Sequence, residues 1–393
     1  MGAIFTSSIE EDSVCVKQLL EAAKFGRWNE VWGILGTPDK PMKQYLLNCI
    51  PEERRWGVLH QAVYFNNKDV LKTLLRFKSC DSSIRTKDGI CEKGECGWKT
   101  PLEIAEQFGH SDMTTLLQNT PCPLSNQEIP TFHTFGSAAG NEKLQLFKIT
   151  LAAYKETFYP FPIQPLKPMS LVMTDIFSYI DSGENWKKVR DRICQSLFCM
   201  CQEATGNLDQ ATTKLEFYSA LIGGYTNEDI RLYDHLNTSL RRQHCANYLP
   251  SAEDLAVGPY VLMYNLLLLN WKELKKEPSK TYRKMLISDE DISKYKKGVK
   301  FSWLSFVSST TRYENAVPFP TVAPSGGQSI LFIIDNTTNS SWQPRNIEKY
   351  ATFNENERVY PAGAGFVVTN LQVKDDTTQV WLKLGSDVNY GNS

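Results

Sequence analysis

The sequence predicts a chain of two parts, an all-α repeat array followed by an α+β domain with a helical lead and mostly antiparallel strands. Its length of 393 residues favours two cores over one. Three apolar helical segments within residues 12–120 share one layout, which is typical of repeats. From about residue 300, helical periodicity gives way to short strand-like runs that Pro, Gly and Asn separate.

The three N-terminal segments, at 19–35, 58–75 and 101–117, each predict a pair of helices. Each begins with a short helix that has an apolar and a small residue, continues through a turn with Gly or Asn, and ends in a second apolar helix. The equivalent residues of the first helices are Leu20/Ala23, Leu59/Ala62 and Leu102/Ala105.

The third segment has the most specific pattern. Residues Thr100 to Ala105 read TPLEIA, which is close to the T-P-L-x-x-A pattern of ankyrin repeats. Insertions such as 88–98 account for spacings longer than the usual ankyrin period of about 33 residues. Residues 12–120 therefore resemble a short ankyrin-repeat array, which implies protein binding on its concave, hairpin-bearing face. The alternative is a domain that only packs on its neighbour.

Residues 121–146 are rich in Pro, Ser, Gly and Asn, which is the composition of a linker. We therefore place a second domain at 147–393. It begins with helices, one within 185–207 and one within 227–242 that opens with a cap-like Asn-Glu-Asp. Helices first and strands later, without alternation, favour an α+β domain with a mostly antiparallel sheet.

Four polar residues in the strand-rich part are candidates for a functional site because of their order along the chain. Arg283 lies in KTYRKM, Ser308 begins SSTT, and Glu355 and Glu357 form a Glu-x-Glu pair. Residues i and i+2 of a strand face the same side, so an extended Glu355-Asn356-Glu357 would place both carboxylates together. Like charges so close are unfavourable unless the protein uses them.

This order resembles the arginine-specific mono-ADP-ribosyltransferases. The surrounding sequence is similar as well, because 217–242 looks like the helical lead of the eukaryotic branch and 346–368 looks like its catalytic loop and strand. The resemblance covers about 165–385, more than half of the chain. It implies that NAD is a substrate, with no metal required.

The resemblance also implies a role for each residue. Arg283 would hold the dinucleotide, since an arginine pairs with phosphate oxygens through two hydrogen bonds and stays charged. Glu357 would stabilise the cation that develops on the nicotinamide ribose, and Ser308 on the neighbouring strand would orient it. Glu355 would hold and activate the guanidinium of the acceptor arginine.

Two further positions complete the expected cofactor-binding set of Arg283, Lys284, Ser308, Phe319 and Glu357. Phe319 falls where the family often has an aromatic ring that stacks on nicotinamide. Lys284 follows Arg283 where the family commonly has Gly, so its side chain could crowd the pocket. Thr310 stands in place of a second Ser and keeps the hydroxyl.

The function that follows is transfer of ADP-ribose from NAD to arginine side chains of target proteins, with release of nicotinamide. The ankyrin-like array would recruit those proteins. One alternative is an enzyme that mainly hydrolyses NAD, because water can replace the acceptor. Another is an inactive scaffold that binds proteins through the ankyrin-like array.

The composition argues against several other classes of protein and of site. The net charge of −1 argues against a general nucleic-acid or membrane surface. The ten cysteines are scattered through a long chain, unlike the dense frameworks of small secreted domains. Cys199-Met200-Cys201 is expected to lie on a buried helix, where the cysteines only pack. Cys91 and Cys96 lack a nearby His or second Cys pair, so we expect no zinc site.

The N-terminus has no secretory signal, and we expect a cytoplasmic protein. Met1 to Thr6 fit the N-myristoylation pattern M-G-x-x-x-[ST]. Membrane association would require a myristoyl group on Gly2 and would be weak, because one acyl chain binds marginally. The apolar run from Val261 to Leu269 is too short to span a membrane and predicts a core helix.

Overall fold

The structure is a computed structural model. It describes residues 9–51, 54–77, 79–87, 99–120, 133–135, 169–200, 202–228, 230–243, 245, 248–318, 327–352, 356–374 and 377–385. Contacts divide the chain into two compact units. The first comprises Met1–Ser125, Asp191–Asp209 and Asn247–Val257, and the second comprises Asn126–Arg190, Gln210–Ala246 and Gly258–Ser393. Nothing in the sequence pattern indicates this interleaving of segments.

The helix pairs predicted for the first unit are confirmed. The first pair contacts the second, and the second contacts the third, through their first helices. The six helices are α1 (Ile9–Lys24), α2 (Trp28–Leu35), α3 (Val58–Tyr64), α4 (Lys68–Leu74), α5 (Pro101–Gln107) and α6 (Ser111–Gln118).

The small residue of each pair makes this packing possible. Ala23, Ala62 and Ala105 are all fully buried, and they allow neighbouring first helices to approach closely. Helix α5 starts as the TPLE sequence predicts, because Thr100 and Glu103 form a reciprocal capping box with Pro101 in the first turn.

The first unit is not purely helical. Strands β1 (Gly36–Thr37) and β2 (Lys40–Pro41) form a two-stranded antiparallel sheet directly after α2. Gly36 has φ +73°, and a Cβ there would stand 2.5 Å from the carbonyl oxygen of Lys40. Only glycine fits this turn. The expectation of an all-α array is therefore wrong at this hairpin, and the ankyrin classification stays a prediction.

A disulfide joins two distant parts of the first unit, and no sequence pattern predicts it. Cys49 is bonded to Cys199, 150 residues later, across a Cα–Cα distance of 4.9 Å. The expectation that Cys199 lies on a buried helix and only packs is wrong, because the helix ends at Leu197. Neighbouring Phe198 is buried in the core of this unit. A pairing over this separation leaves no pattern in the sequence. Cys91, Cys96 and Cys201 lie outside the described residues.

His60 on α3 is fully buried. Its Nδ1 accepts a hydrogen bond from the backbone N–H of Gly57 at 3.0 Å, so Nε2 carries the proton and donates to the carbonyl of Ile84 at 3.1 Å. Burial lowers the pKa of His60 to about 4, although backbone bonds to Ile84 and Lys99 act in the opposite direction. The neutral ring is part of the folded structure.

We expect the free energy of unfolding to fall in acid because of His60. The unfolded imidazole takes up a proton near pH 6.5, and the folded one does so only near pH 4. The contribution is complete above pH 6.5 and is lost progressively as the pH falls towards 4, at about 1.4 kcal/mol per pH unit at most.

Urea denaturation between pH 7 and pH 4.5 measures this effect. His60→Gln removes the titrating group while keeping a polar side chain, so its pH dependence should be shallower than that of the unaltered protein. Because every other group is common to both proteins, the difference isolates His60. Parallel pH profiles would contradict the assignment.

Among the residues that the structure describes, eight further helices follow the first six. They are α7 (Met169–Asp181), α8 (Asn185–Leu197), α9 (Gln202–Asp209), α10 (Lys214–Thr226), α11 (Leu232–Arg242), α12 (Ala252–Asn270), α13 (Asp289–Ile292) and α14 (Tyr313–Ala316). The helix predicted within 185–207 begins as α8, and its residues Val189, Ile193 and Leu197 are buried. The predicted start of α11 at Asn227 is wrong, because Arg231 has φ 52° and the helix begins only after it.

A nine-stranded sheet forms the centre of the second unit, in the order β3-β5-β10-β11-β7-β4-β6-β9-β8. Among the described strands, every pairing is antiparallel except that of β11 with β7, which confirms the predicted mostly antiparallel sheet. The strands are β3 (His133–Phe135), β4 (Thr281–Ser288), β5 (Lys300–Trp303), β6 (Val307–Thr310), β7 (Gly327–Asp335), β8 (Arg345–Asn346), β9 (Glu357–Tyr360), β10 (Gly365–Lys374) and β11 (Thr377–Leu384).

Two sequence expectations change in this unit. Strand β3 comes from the predicted linker 121–146 and pairs with β5 at the edge of the sheet, so part of that segment has regular structure. Helix α12 has the length and hydropathy to cross a membrane, but 72% of its apolar window is buried inside the protein. Burial of this kind also occurs in the core helix of a globular domain.

Candidate active site

Three adjacent strands of the sheet bring together residues that are far apart in the sequence. Strand β4 contains Arg283, β6 contains Ser308, and β9 begins with Glu357. Strand β6 pairs with β4 on one side and β9 on the other. Thr310 lies directly opposite Glu357, and Ser308 lies opposite Val359. Ser308 and Glu357 are therefore diagonal neighbours on one face of the β6–β9 pair.

Arg283 connects its strand to the next one. Its Nη1 donates a hydrogen bond to the backbone carbonyl of Ser308. Its Nε is buried and has no hydrogen-bond partner among the described residues. Burial lowers the pKa of Arg283, while nearby Tyr225 and Glu357 act in the opposite direction. An arginine remains protonated under such conditions, so a half-buried positive charge with a buried, unpaired Nε donor lies in this site.

Tyr225, in the last turn of α10, reaches into the same site. Its hydroxyl accepts a hydrogen bond from Asn237 Nδ2 at 3.5 Å, and the side chain of Ser308 lies close enough to affect its pKa. The residue is only 3% exposed. Burial, assisted by Glu357, raises the pKa of Tyr225 to about 12. The hydroxyl therefore stays protonated at neutral pH and can donate a hydrogen bond.

Aromatic rings form a wall behind Tyr225. The ring of Tyr264 stacks on Tyr225 with centroids 4.4 Å apart, and the edge of Phe306 meets Tyr264 at 4.7 Å. The hydroxyl of Tyr264 and the amide oxygen of Asn237 are buried without a hydrogen-bond partner in the part of the chain that the structure describes. Together with Arg283 Nε, they are polar atoms that a bound ligand or water would satisfy.

Glu357 is half-buried at the start of β9. It lies close enough to Tyr225, Tyr264 and Arg283 to affect the pKa of each. The residue before it, Asn356, has φ 53°. The expectation of an extended Glu355-Asn356-Glu357 segment is therefore wrong, and strand alternation does not place the two carboxylates side by side. Asparagine tolerates this left-handed conformation better than most residues. Glu355 itself lies outside the described residues.

The other predicted cofactor residues are placed in part. Lys284 Nζ donates to the backbone carbonyl of Val317 at 2.8 Å, just after α14. Its ammonium thus holds the end of that helix against β4. Phe319 lies outside the described residues. No group of His, Cys, Asp and Glu suited to a metal ion occurs among the residues whose positions are described.

Sequence reasoning did not identify Tyr225, Asn237 or Tyr264 as site residues. The segment 217–242 entered only as surrounding sequence, because helical periodicity does not separate a site tyrosine from a core tyrosine. The one usable signal is the Gly223-Gly224 pair inside α10, since glycine within a helix often marks a close approach. A Cβ on Gly224 would stand 3.2 Å from Tyr260 Oη, whereas one on Gly223 would stand 3.8 Å from the nearest atom, the carbonyl oxygen of Tyr350.

We expect the two glycines to respond differently to replacement by alanine. Gly223→Ala should stabilise the protein by about 0.5–1 kcal/mol through helix propensity, since its Cβ makes only ordinary contacts. Gly224→Ala forces Tyr260 to move and should be less stable than Gly223→Ala by about 1–3 kcal/mol. Thermal denaturation of the two variants measures the difference. Equal stability would show that α10 does not pack tightly at Gly224.

The start of the loop before β9 is tied to the end of the same helix. The backbone N–H of Thr352 donates to Thr226 Oγ1 at 3.0 Å, and the hydroxyl of Thr352 donates to the carbonyl of Gly223 at 3.3 Å. Tyr350 packs on Trp271, and its hydroxyl donates to Glu273 at 3.0 Å. Helix α10 therefore supplies Tyr225 to the site and also holds the chain that leads to Glu357.

The sequence matches no protein-family model and no curated protein. The structure is similar to Vis toxin, an ADP-ribosyltransferase from Vibrio splendidus, with a TM-score of 0.36 and 15% identity over 61% of this chain and 94% of that one. It is also similar to the ADP-ribosyltransferase HopU1 of Pseudomonas syringae, with a TM-score of 0.38 and 15% identity over 50% of this chain and 97% of that one.

A third similar structure is exoenzyme S from Pseudomonas aeruginosa, solved with human 14-3-3 protein beta and bound to carba-NAD. Its TM-score is 0.33, with 14% identity over 49% of this chain and 88% of that one. At these identities and TM-scores, similarity does not determine what this chain does.

Proposed function

We propose that the second unit transfers ADP-ribose from NAD to arginine side chains of proteins and releases nicotinamide. One observation carries the proposal. Arg283, Ser308 and Glu357, which are far apart in the sequence, lie on three adjacent strands around the buried hydroxyl of Tyr225. The sequence resemblance assigns the same three residues to NAD chemistry, and the sheet brings them together.

Arg283 fits the pyrophosphate of NAD. Its guanidinium is charged and half-buried, and its buried Nε has no hydrogen-bond partner among the described residues. Phosphate oxygens accept two parallel hydrogen bonds from one guanidinium. The tyrosine hydroxyls of Tyr225 and Tyr264 add neutral donors beside it. Such a site favours an anionic ligand that also has hydroxyl groups.

Glu357 fits the step in which the nicotinamide bond breaks. The bond between ribose C1′ and the nicotinamide nitrogen cleaves, and its electron pair leaves with nicotinamide. Positive charge then develops on the ribose, and a fixed carboxylate stabilises it. A nitrogen of the acceptor guanidine forms the new bond to C1′ and loses a proton. Ser308, on the same face, and Tyr225, close to Ser308, would fix the geometry around this carboxylate.

The identity of the acceptor rests on the Glu-x-Glu resemblance. Glu355 would hold the guanidinium of the acceptor and assist loss of its proton. Phe319 would stack on nicotinamide. The helix pairs of the first unit would select protein substrates, and a myristoyl group on Gly2 would add weak membrane affinity.

Incubation of the full chain with labelled NAD and agmatine tests the proposal. The assay should score ADP-ribosyl agmatine and free ADP-ribose separately, because the two products distinguish transfer from hydrolysis. We expect transfer to dominate at millimolar agmatine. Free ADP-ribose alone would identify an NAD glycohydrolase, and no release of nicotinamide would identify a binding protein without this activity.

A further inference from the structure

A buried charge network lies on the other side of β9 from Glu357. Arg358 is 8% exposed, and its Nε lies 3.0 Å from a carboxylate oxygen of Glu277. Its Nη1 lies 3.5 Å from a carboxylate oxygen of Glu348. Successive residues of a strand point to opposite faces, so this guanidinium and the carboxylate of Glu357 lie on opposite sides of the sheet. The network therefore does not include the carboxylate of Glu357.

Arg358 also bonds to the backbone of its neighbour. Its Nη1 donates to the carbonyl oxygen of Glu357 at 3.0 Å. Ser309 on β6 donates through its hydroxyl to the carbonyl of Arg358 at 3.1 Å. The peptide group between Glu357 and Arg358 is thus held by a side chain, and the next carbonyl is held by the adjacent strand.

Glu277 and Glu348 connect this peptide to the rest of the site. Glu277 lies six residues before Arg283, just ahead of β4, and its backbone N–H donates to the carbonyl of Pro344 at 2.9 Å. Glu348 lies in the segment between β8 and β9. The guanidinium of Arg358 therefore connects the segment before β4, which contains Arg283, to the segment before β9, which begins with Glu357.

The start of β9 needs such support. Asn356 is left-handed, so the strand does not extend backwards past Glu357. Strand β8 is only two residues long, and its pairing with β9 involves Arg358 and Val359 but not Glu357. Glu357 is consequently the first residue of its strand, and its cross-strand partner on β6 is Thr310.

We propose that Arg358 is a positioning residue, which uses Glu277 and Glu348 to hold the backbone of Glu357 so that its carboxylate keeps a fixed position. The inference rests on the proposed function, because it concerns the same carboxylate. A carboxylate that stabilises a developing cation acts best when it is already in place. A displacement of about 1 Å at such a group can cost about 10²-fold in rate.

The test uses Arg358→Lys, which keeps the positive charge but cannot bond to two carboxylates and a carbonyl in one plane. We expect kcat for nicotinamide release to fall about 10- to 100-fold, with KM for NAD changed less than about threefold because Arg283 and Tyr225 are untouched. Glu348→Gln, at the longer contact, should show a smaller loss of kcat.

Arg345→Lys is the matched control. Arg345 is also buried, on the neighbouring strand, and its Nη1 and Nη2 donate to the carbonyls of Gln343 and Ser341. Its loss should lower stability by a similar amount and leave kcat close to that of the unaltered protein. Equal losses of kcat in the two lysine variants would overturn the proposal, since they would show a general effect of disturbing this edge of the sheet.

A second arm combines Arg358→Lys with Glu357→Gln. If Arg358 acts through Glu357, its substitution should cause no further loss of nicotinamide release once the carboxylate is absent. A full additional loss would show that Arg358 acts elsewhere, which would overturn the proposal. An unaltered protein that releases no nicotinamide would instead refute the proposed function, and the positioning role with it.

Discussion

Glu357→Gln should abolish most of the nicotinamide release, both with agmatine and with water as acceptor. The substitution keeps the size of the side chain and removes the charge that would stabilise the ribosyl cation. A preorganised group of this kind is typically worth about 10²–10³ in rate. Because breaking the glycosidic bond is common to transfer and hydrolysis, both products should decrease by the same factor.

The control for this variant is Glu290→Gln on α13. Glu290 is an exposed carboxylate that forms an ion pair with Lys294 at 3.4 Å, and its loss should leave both products unchanged. NAD binding by the Glu357 variant should stay within a few-fold, since the pyrophosphate contact is assigned to Arg283. Full nicotinamide release by a folded Glu357→Gln protein would remove Glu357 from the mechanism.

The parts of the fold that the sequence predicts are those specified by local patterns. Apolar and small residues at helical spacing predict three helix pairs, and Ala23, Ala62 and Ala105 are buried between them. The short runs after residue 300 predict strands because side-chain alternation and turn residues are also local signals. The order of the strands in the sheet, in contrast, is not specified by local patterns. Nothing in the sequences of 281–288 and 307–310 shows that these two strands become neighbours. Nothing in the predicted linker shows that β3 forms an edge of the sheet.

The residues of the candidate site also divide into those that the sequence identifies and those that it does not. Arg283, Ser308 and Glu357 could be identified because their order along the chain resembles a known family. Tyr225 could not, since its hydroxyl acquires its role only when α10 packs beside β6 and β9. The Cys49–Cys199 disulfide could not be predicted for the same reason, because its two cysteines are 150 residues apart.

The backbone conformation at Asn356 differs from the sequence prediction for another reason. The pattern Glu-x-Glu followed by Arg358-Val359-Tyr360 suggests one continuous strand, and strand periodicity then places both glutamates on one face. A single residue with φ 53° breaks that inference, because it rotates the chain that precedes it. Asparagine is among the few residues that adopt this conformation readily, so the sequence permitted the break without requiring it.

Glu355→Gln should separate the two reactions that Glu357→Gln abolishes together. If Glu355 holds the acceptor guanidinium, its loss removes the partner of arginine and leaves the contact with the ribose. Transfer to agmatine should then collapse, while NAD hydrolysis largely persists because water needs no guanidinium anchor. The ratio of the two products is the measurement, so the result does not depend on the absolute rate.

Asn356→Gly provides the matched control, because glycine adopts the left-handed conformation at no steric cost and keeps both carboxylates. It should retain the product ratio of the unaltered protein. The left-handed turn at Asn356 means that strand geometry no longer places Glu355 beside Glu357, so the assay alone decides the division of roles. If Glu355→Gln loses hydrolysis as completely as Glu357→Gln, both carboxylates act on the NAD side of the reaction. If it keeps full transfer to agmatine, another group holds the acceptor, and the arginine specificity that the Glu-x-Glu pair suggests is wrong.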